Sequence, residues 1–282
     1  MKPFDRCRCL LFAAGMLLLV GLKAQADEPL IIAHRGASHD APENTLAAFR
    51  LAWEQGADGI EGDFYLSQDN QIVCIHDKTT KRTADKDLSV KDTTLAELRK
   101  LDVGTWKSPR FAGERIPTLA EVLAVVPQDK LIYVEIKCGP EIVPFLKPVF
   151  KDSGLSAKQI RIIAFDEDVI AAVKKQLPEI KAYWLTSYKQ DKITKKWKPT
   201  PAEVLDTLKK FGADGLGTKA EPAIVNHKLA DEFVKNLRAG GWEFHAWTID
   251  EATLAHRLQG LGVDSITTNR PAFLREKLLH QP

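Results

Sequence analysis

From Leu30 onward, apolar and polar residues are grouped in blocks that repeat along the chain. Short apolar runs predict eight strands, at Leu30–His34, Gly59–Phe64, Leu131–Lys137, Ile160–Phe165, Ala182–Thr186, Ala213–Gly217, Glu243–Thr248 and Val263–Thr267. Helical runs lie between them, at Thr45–Gln55, Thr118–Val126, Asp168–Leu177, Pro201–Phe211, Lys228–Ala239 and Glu251–Gln259. Several strand runs are apolar nearly throughout, as expected when both faces of a parallel sheet are covered. Eight strands, each leading toward a helix over about 250 residues, predict a (β/α)8 TIM barrel. A doubly wound open sheet is the alternative. Thr94–Glu97 and Thr118–Glu121 both fit a capping box, while Pro144 and Pro148 predict a poor continuous helix after Lys137.

Residues Gly59 to Asp77 read as two strands joined by the polar turn Gln68-Asp69-Asn70-Gln71. Four residues are too few for a parallel crossover, so the second run is an extra antiparallel strand. Centring the turn between Asp69 and Asn70 predicts that His76 lies opposite Asp63. Lys78–Pro117 is long, polar and mixed, and predicts a small insertion subdomain at about 78–117 that caps one barrel end. Tyr188–Thr200 is rich in lysine and reads as a solvated loop, with attraction of an anionic substrate as the alternative.

Composition changes this picture mainly at the N-terminus. The chain has 282 residues, 44% hydrophobic and 28% charged, which is ordinary for a globular protein. Lys2, Arg6 and Arg8 precede an apolar run from Cys9 to Leu22 and the small-x-small site Ala24-Gln25-Ala26. That is the pattern of a secretory signal peptide over residues 1–26, leaving a domain at 27–282 that is exported, periplasmic or secreted. An uncleaved anchor is the alternative. Cleavage changes 40 basic and 38 acidic side chains to 36 and 37, so the mature chain is near neutral and offers no electrostatic case for nucleic acid. Cys74 and Cys138 remain, as buried thiols or as a disulfide that export would permit.

In barrels the chemistry sits where strand ends meet the following loops. Those ends carry His34-Arg35-Gly36, then Pro42-Glu43-Asn44-Thr45, Glu61 and Asp63, His76-Asp77, Glu135 and Lys137, Asp166, Trp247, and Asn269-Arg270. Glu61-x-Asp63 and Glu135-x-Lys137 each place two charges on one strand face. Glu61, Asp63 and Glu135 are hard oxygen donors suited to Mg²⁺ or Ca²⁺; an internal ion-pair network is the bland alternative. A cation with Arg35 and Lys137 describes a receptor for a phosphoryl group. The imidazoles of His34 and His76 suit general acid–base exchange, whereas His39, His227, His245 and His256 read as surface or core residues.

In this order, His34-Arg35-Gly36, Pro42–Thr45, Glu61-x-Asp63, His76-Asp77 and Glu135-x-Lys137 resemble the glycerophosphodiester phosphodiesterases. The resemblance extends to Ala164-Phe165-Asp166 and Ala246-Trp247-Thr248. It implies a barrel with an insertion after the His-Asp motif and a divalent metal at Glu61, Asp63 and Glu135. It also implies His34 and His76 as the acid–base pair, with Arg35, Lys137 and Glu43 near metal and phosphate. Trp247 joins them as a substrate-binding candidate. The implied reaction releases glycerol 3-phosphate and an alcohol from a small glycerophosphodiester, through a cyclic phosphate or by direct attack of water. Departures are Asp69-Asn70 for the usual Asp-Gly turn, Ala164 for a frequent serine, Asp250 for a common asparagine and Asn269 for a usual aspartate. A lysophospholipase D or phosphoinositide phospholipase C-like enzyme is the second reading, with Trp106, Phe111 and Trp184 as its apolar rim. A non-catalytic barrel binding protein is the third.

Overall fold

The computed structural model describes residues 28–220, 225 and 230–279. Eleven strands occur among them: β1 (Leu30–His34), β2 (Gly59–Leu66), β3 (Ile72–Cys74), β4 (Leu131–Ile136), β5 (Ile160–Ala164), β6 (Lys181–Thr186), β7 (Lys189–Gln190), β8 (Trp197–Lys198), β9 (Gly215–Lys219), β10 (Glu243–Trp247) and β11 (Ser265–Thr268). The order β1-β11-β10-β9-β6-β5-β4-β2, with β2 returning to β1, closes an eight-stranded barrel in which every pairing is parallel. Helices follow the strands, and the predicted barrel is the fold. The ninth strand of the sheet, β3, pairs antiparallel with the far end of β2.

Alternation along the strands separates two apolar groups. Ile31, Ala33, Ile60, Phe64, Ile132, Val134, Ile162, Leu216, Ala246 and Ile266 point outward into the main core under the helices. Ile32, Tyr133, Ile163, Tyr183 and Leu185 fill the barrel interior. Interior positions nearest the C-terminal strand ends are left for polar groups. The turn after β1 is tight: Gly36 has φ +79°, and an added Cβ would lie 2.5 Å from the Ala48 carbonyl carbon. Only glycine lets this turn lie against the following helix, Leu46–Glu54, whose first turn Thr45 caps by accepting from Ala48 N at 3.2 Å.

Two expectations need correction. The hairpin pairs Phe64 with Cys74, Tyr65 with Val73 and Leu66 with Ile72, so Ile75 and not His76 faces Asp63. The loop holds three residues, with Asn70 left-handed at φ 57°, which shifts the register by one relative to a two-residue turn. Secondly, Val143–Asp152 is one continuous helix. Pro144 lies in its first turn, where an amide has no helical partner, and the helix tolerates Pro148 while burying Val143, Leu146 and Phe150. Cys74 and Cys138 are free thiols, the first of their two readings.

Lys78–Pro117 folds into short turns, Val90–Asp92, Leu95–Leu98 and Pro109–Phe111, around its own apolar group of Val90, Leu98, Leu101, Val103 and Ile116. That group continues onto Tyr65, Val73 and Ile75 of the hairpin, which places the insertion over the C-terminal end of β2. The lysine-rich stretch forms the exposed β7–β8 ladder. Among the described residues no helix is long and apolar enough to cross a membrane. The predicted signal peptide and His227 lie outside the described residues.

Candidate active site

Barrel register assembles the site. Parallel pairing aligns His34 with Glu61, Asp63 with Glu135, and Ala33 with Thr268, so that strand ends far apart in sequence share one mouth. Ligand oxygens of Glu61, Asp63 and Glu135 all lie within 4.8 Å of one another, and the three side chains are buried. The left-handed Arg35 (φ 55°) turns its backbone N–H onto Glu61 Oε2 at 2.9 Å. Its guanidinium spans Glu43 Oε1 at 2.9 Å and Asp63 Oδ2 at 3.1 Å. From the other side, Lys137 Nζ reaches Glu135 Oε1 at 2.6 Å and Asp63 Oδ1 at 3.4 Å.

The electrostatics of the three acids are uneven. Burial, then the charges of Asp63 and Glu135, push the Glu61 carboxyl well above its usual range. Burial and Asp63 push Glu135 up to about 7. Burial also opposes ionisation of Asp63, but Arg35, Lys137 and the nearby His76 outweigh it and hold Asp63 below the usual carboxylate range. Glu61 Oε1 is buried without a hydrogen-bond donor, and Asp63 Oδ1 faces only the Lys137 ammonium, without a hydrogen bond. Crowded carboxylates with orphaned oxygens fit a divalent cation, which would supply the missing partner and favour ionisation. The all-oxygen set suits Mg²⁺ or Ca²⁺ better than Zn²⁺.

The two candidate catalytic histidines have different partners. His34 Nδ1 donates to Asn269 Oδ1 at 2.7 Å, and burial followed by the charge of Arg35 lowers its pKa to about 4. His76 follows the end of β3, where the chain has left the ladder, and it reaches the cavity despite the corrected register. Its Nδ1 donates to Asp77 Oδ1 at 2.7 Å. Asp77 in turn takes Arg82 Nε on Oδ2 at 2.7 Å. The other two Arg82 nitrogens bind Glu43 Oε2 and Oε1 at 2.7 and 2.8 Å, so one insertion residue grips both the Arg35 partner and the His76 partner.

His34, Arg35, Glu61, His76, Glu135, Lys137 and Trp247 line one cavity of about 210 Å³ together with Ile163, Phe165 and Leu185. Trp247 Nε1 is buried there without an acceptor, a donor free for a bound oxygen. A lining that combines charged and apolar groups fits a small phosphorylated polyol. Glu43 stands behind Arg35 and outside this lining. Asp166 caps the helix Glu167–Gln176 instead of joining the site. His39 is exposed and pairs with Asp40, His256 sits on the helix Ala252–Gly260, and His245 is buried in the barrel interior against Ser265. Of the rim candidates, Trp106 is 43% exposed but Trp184 is buried; Phe165, also 43% exposed, stands at the mouth instead.

Three residues that organise the site were given no role by the sequence. Asn44 is buried with φ 59°, donates to Asp63 Oδ2 at 2.8 Å and accepts the Asp63 N–H at 3.2 Å. Its place beside Glu43 in a polar motif opening a helix was the available signal. Asn269 stood at a strand end and carried the same kind of signal. Arg82 had none, because it is one cation among many in a polar insertion and meets Glu43 across 39 residues.

Comparison with known proteins agrees with this geometry. A model of the Glycerophosphoryl diester phosphodiesterase family matches residues 34–273. A glycerophosphodiester phosphodiesterase of Caldanaerobacter subterraneus subsp. tengcongensis is 36% identical over 250 residues, covering 87% of this chain and 96% of that protein. Among solved structures, an Oleispira antarctica phosphodiesterase in complex with the product sn-glycerol-3-phosphate superposes with a TM-score of 0.77. It is 29% identical and covers 89% of this chain and 97% of that one. Glycerophosphodiester phosphodiesterase from Thermotoga maritima gives a TM-score of 0.70 at 25% identity, over 88% of this chain and 97% of that one. The fold, the ordered motifs and these likenesses agree: the chain belongs to the glycerophosphoryl diester phosphodiesterase family.

Proposed function

We propose that this enzyme hydrolyses glycerophosphodiesters to glycerol 3-phosphate and an alcohol, using a divalent cation and two histidines with different tasks. The observation that carries the reading is that Glu61, Glu135, two imidazoles, Arg35 and Lys137 line one small cavity, with Asp63 clustered against the two glutamates. The product held by the Oleispira antarctica relative supports the choice of substrate class.

Glu61, Asp63 and Glu135 would hold the cation, which when bound polarises a phosphoryl oxygen. Arg35 and Lys137 flank the acids on opposite sides and offset charge that builds on the phosphoryl group during displacement. His34 stays neutral because of its burial, and its Nδ1 already donates, so Nε2 is the free base. It takes the proton of the attacking hydroxyl, either the neighbouring glycerol hydroxyl or water. His76 donates to Asp77, which Arg82 and the ring hold ionised against the opposing effect of burial. That carboxylate suits a ring that delivers a proton to the departing alkoxide. Phe165 and Trp247 meet edge to face, with ring centres 5.5 Å apart, and bound the apolar side where the glycerol carbons would lie.

We also place the enzyme outside the cytoplasm. The basic, apolar and small-residue pattern of residues 1–26 supports this, and N-terminal sequencing of protein recovered from the cell envelope tests it. For the reaction, purified enzyme is supplied with glycerophosphocholine, with and without chelator, and glycerol 3-phosphate is measured. Release that stops with chelator and in His34→Ala and His76→Ala is the expected result. Undiminished release by either variant overturns the acid–base roles of the two histidines, and release only from a lysophospholipid overturns the substrate class.

A further inference from the structure

Two positions that depart from the family resemblance, Asp250 and Asn269, touch each other behind His34. Asn269 Nδ2 donates to Asp250 Oδ2 at 2.6 Å, and Asn269 backbone N–H donates to Asp250 Oδ1 at 2.8 Å. Thr268 Oγ1 also donates to Asp250 Oδ1 at 2.8 Å, so both oxygens of that carboxylate are engaged. On its other edge, Asn269 Oδ1 accepts from Ser38 Oγ at 2.9 Å and from His34 Nδ1 at 2.7 Å. Turning the amide over would set its oxygen against Asp250 Oδ2 and its NH₂ against the ring, losing the short bond and placing acceptor on acceptor.

We propose that Asn269, locked by Asp250, is a positioning residue that holds His34 in the tautomer with its proton on Nδ1 and its bare Nε2 facing the cavity. The inference rests on the reading of His34 as the base. A carboxylate next to a histidine can do the same job with a charge. Here the charge sits one residue further back, and a neutral amide passes on only its direction. The ring is therefore oriented without an anion on Nδ1, in a site already crowded with three carboxylates. Two residues whose identities are exchanged relative to the resemblance act as one unit, because each depends on the other for its orientation.

The test uses the full-length mature enzyme, with kcat and KM for glycerophosphocholine and nitrogen-15 spectra of the His34 ring. In the wild type the ring should show the Nδ1–H tautomer; an Nε2–H signature would overturn the proposal. Asn269→Ala should lower kcat about 10–100-fold with KM little changed, and its His34 spectrum should show both tautomers. Asp250→Asn frees the amide to turn and should act in the same direction, while Asn269→Asp sets two carboxylates in contact and should also lose kcat. Combining Asp250→Asn with Asn269→Asp rebuilds a donor–acceptor pair with an oxygen toward His34, and should recover most of the rate lost by either single change. Unchanged kcat in Asn269→Ala, or a double variant no better than the singles, would overturn it. His34→Ala separates the two readings: if that enzyme kept its rate, the base assignment would fall, and the wild-type ring spectrum would still decide the tautomer.

Discussion

Replacing Arg82 with alanine tests whether the insertion takes part in catalysis or only covers the barrel. The side chain is 43% exposed, and its pairs with Glu43 and Asp77 are bathed by solvent on one side. Pairs of that kind contribute about 0.2–1 kcal/mol each, so their loss should lower stability by no more than about 2 kcal/mol. For a domain of this size that is a fall in Tm of several degrees. The catalytic consequence should be larger. Without Arg82, Asp77 loses the bond that fixes its far oxygen, and His76 loses a rigid partner. Glu43 keeps only Arg35, whose guanidinium can then follow it away from Asp63. Losing orientation at both places should lower kcat/KM about 10–100-fold, or about 1.4–2.7 kcal/mol of transition-state stabilisation. The assay is glycerol 3-phosphate release beside a melting curve on the same preparation. Arg82→Lys should recover little, since one ammonium cannot bridge both Glu43 oxygens and Asp77. Wild-type kcat/KM in Arg82→Ala would refute the argument, and so would a rate loss that merely tracks a large fall in Tm.

The acids predict a metal-linked dependence of stability on pH. In metal-free protein Glu61 and Glu135 titrate above the ordinary carboxylate value of 4.5, Glu135 at about 7, so the native state holds protons that the unfolded chain has released. Stability should therefore fall as pH rises from about 4.5 to about 7, and saturating Mg²⁺ or Ca²⁺ should remove that slope. Melting curves at several pH values with chelator and with metal check this, and identical slopes would count against the cation site. Asp63→Asn should weaken metal binding at least tenfold by titration calorimetry, because it removes the acid that stays ionised and that Arg35 and Lys137 both face. Gly36→Ala should destabilise by about 2–4 kcal/mol, since a Cβ meets the Ala48 backbone at 2.5 Å on a left-handed residue; a chemical denaturation midpoint near wild type would show that the turn can yield.

What the sequence revealed followed from short-range rules. β1 starts and ends at its predicted residues because apolar alternation and the following turn both mark it. β9, expected at Ala213–Gly217, forms two residues later at Gly215–Lys219, since Ala213 still bonds back to the preceding helix at Leu208. The hairpin register failed on one backbone angle: Asn70 takes a left-handed φ and lengthens the loop, which side-chain pattern alone does not disclose. The helix at Val143–Asp152 survives its prolines through burial that local propensity cannot report. Acids and imidazoles were legible because strand ends collect them. Their orienters were less so: Asn44, Asn269 and Arg82 are ordinary polar residues until the fold brings them to Asp63, His34 and Asp77.

The closure of the barrel and the setting of His34, the proposed base, depend on the same hydrogen bonds. β1 has two neighbours, and each supplies one side of the His34 environment. Pairing with β2 aligns His34 with Glu61 and sets the acid cluster beside the ring. Pairing with β11 aligns Ala33 with Thr268, so that Asn269 arrives next to Nδ1. Because side chains alternate in and out, a slip of one residue between β1 and β11 would turn the wrong groups toward the ring and carry Thr267 out of the cavity lining. It would also break the Asp250 contacts, which reach Thr268 and Asn269 from the loop after β10. Asp250, through Asn269, therefore links the ends of β10, β11 and β1. A substitution that loosens the seam between the first and last strands should reach the chemistry before it unfolds the protein, because the acids are held by β2 and β4 while His34, the proposed base, is held at the seam.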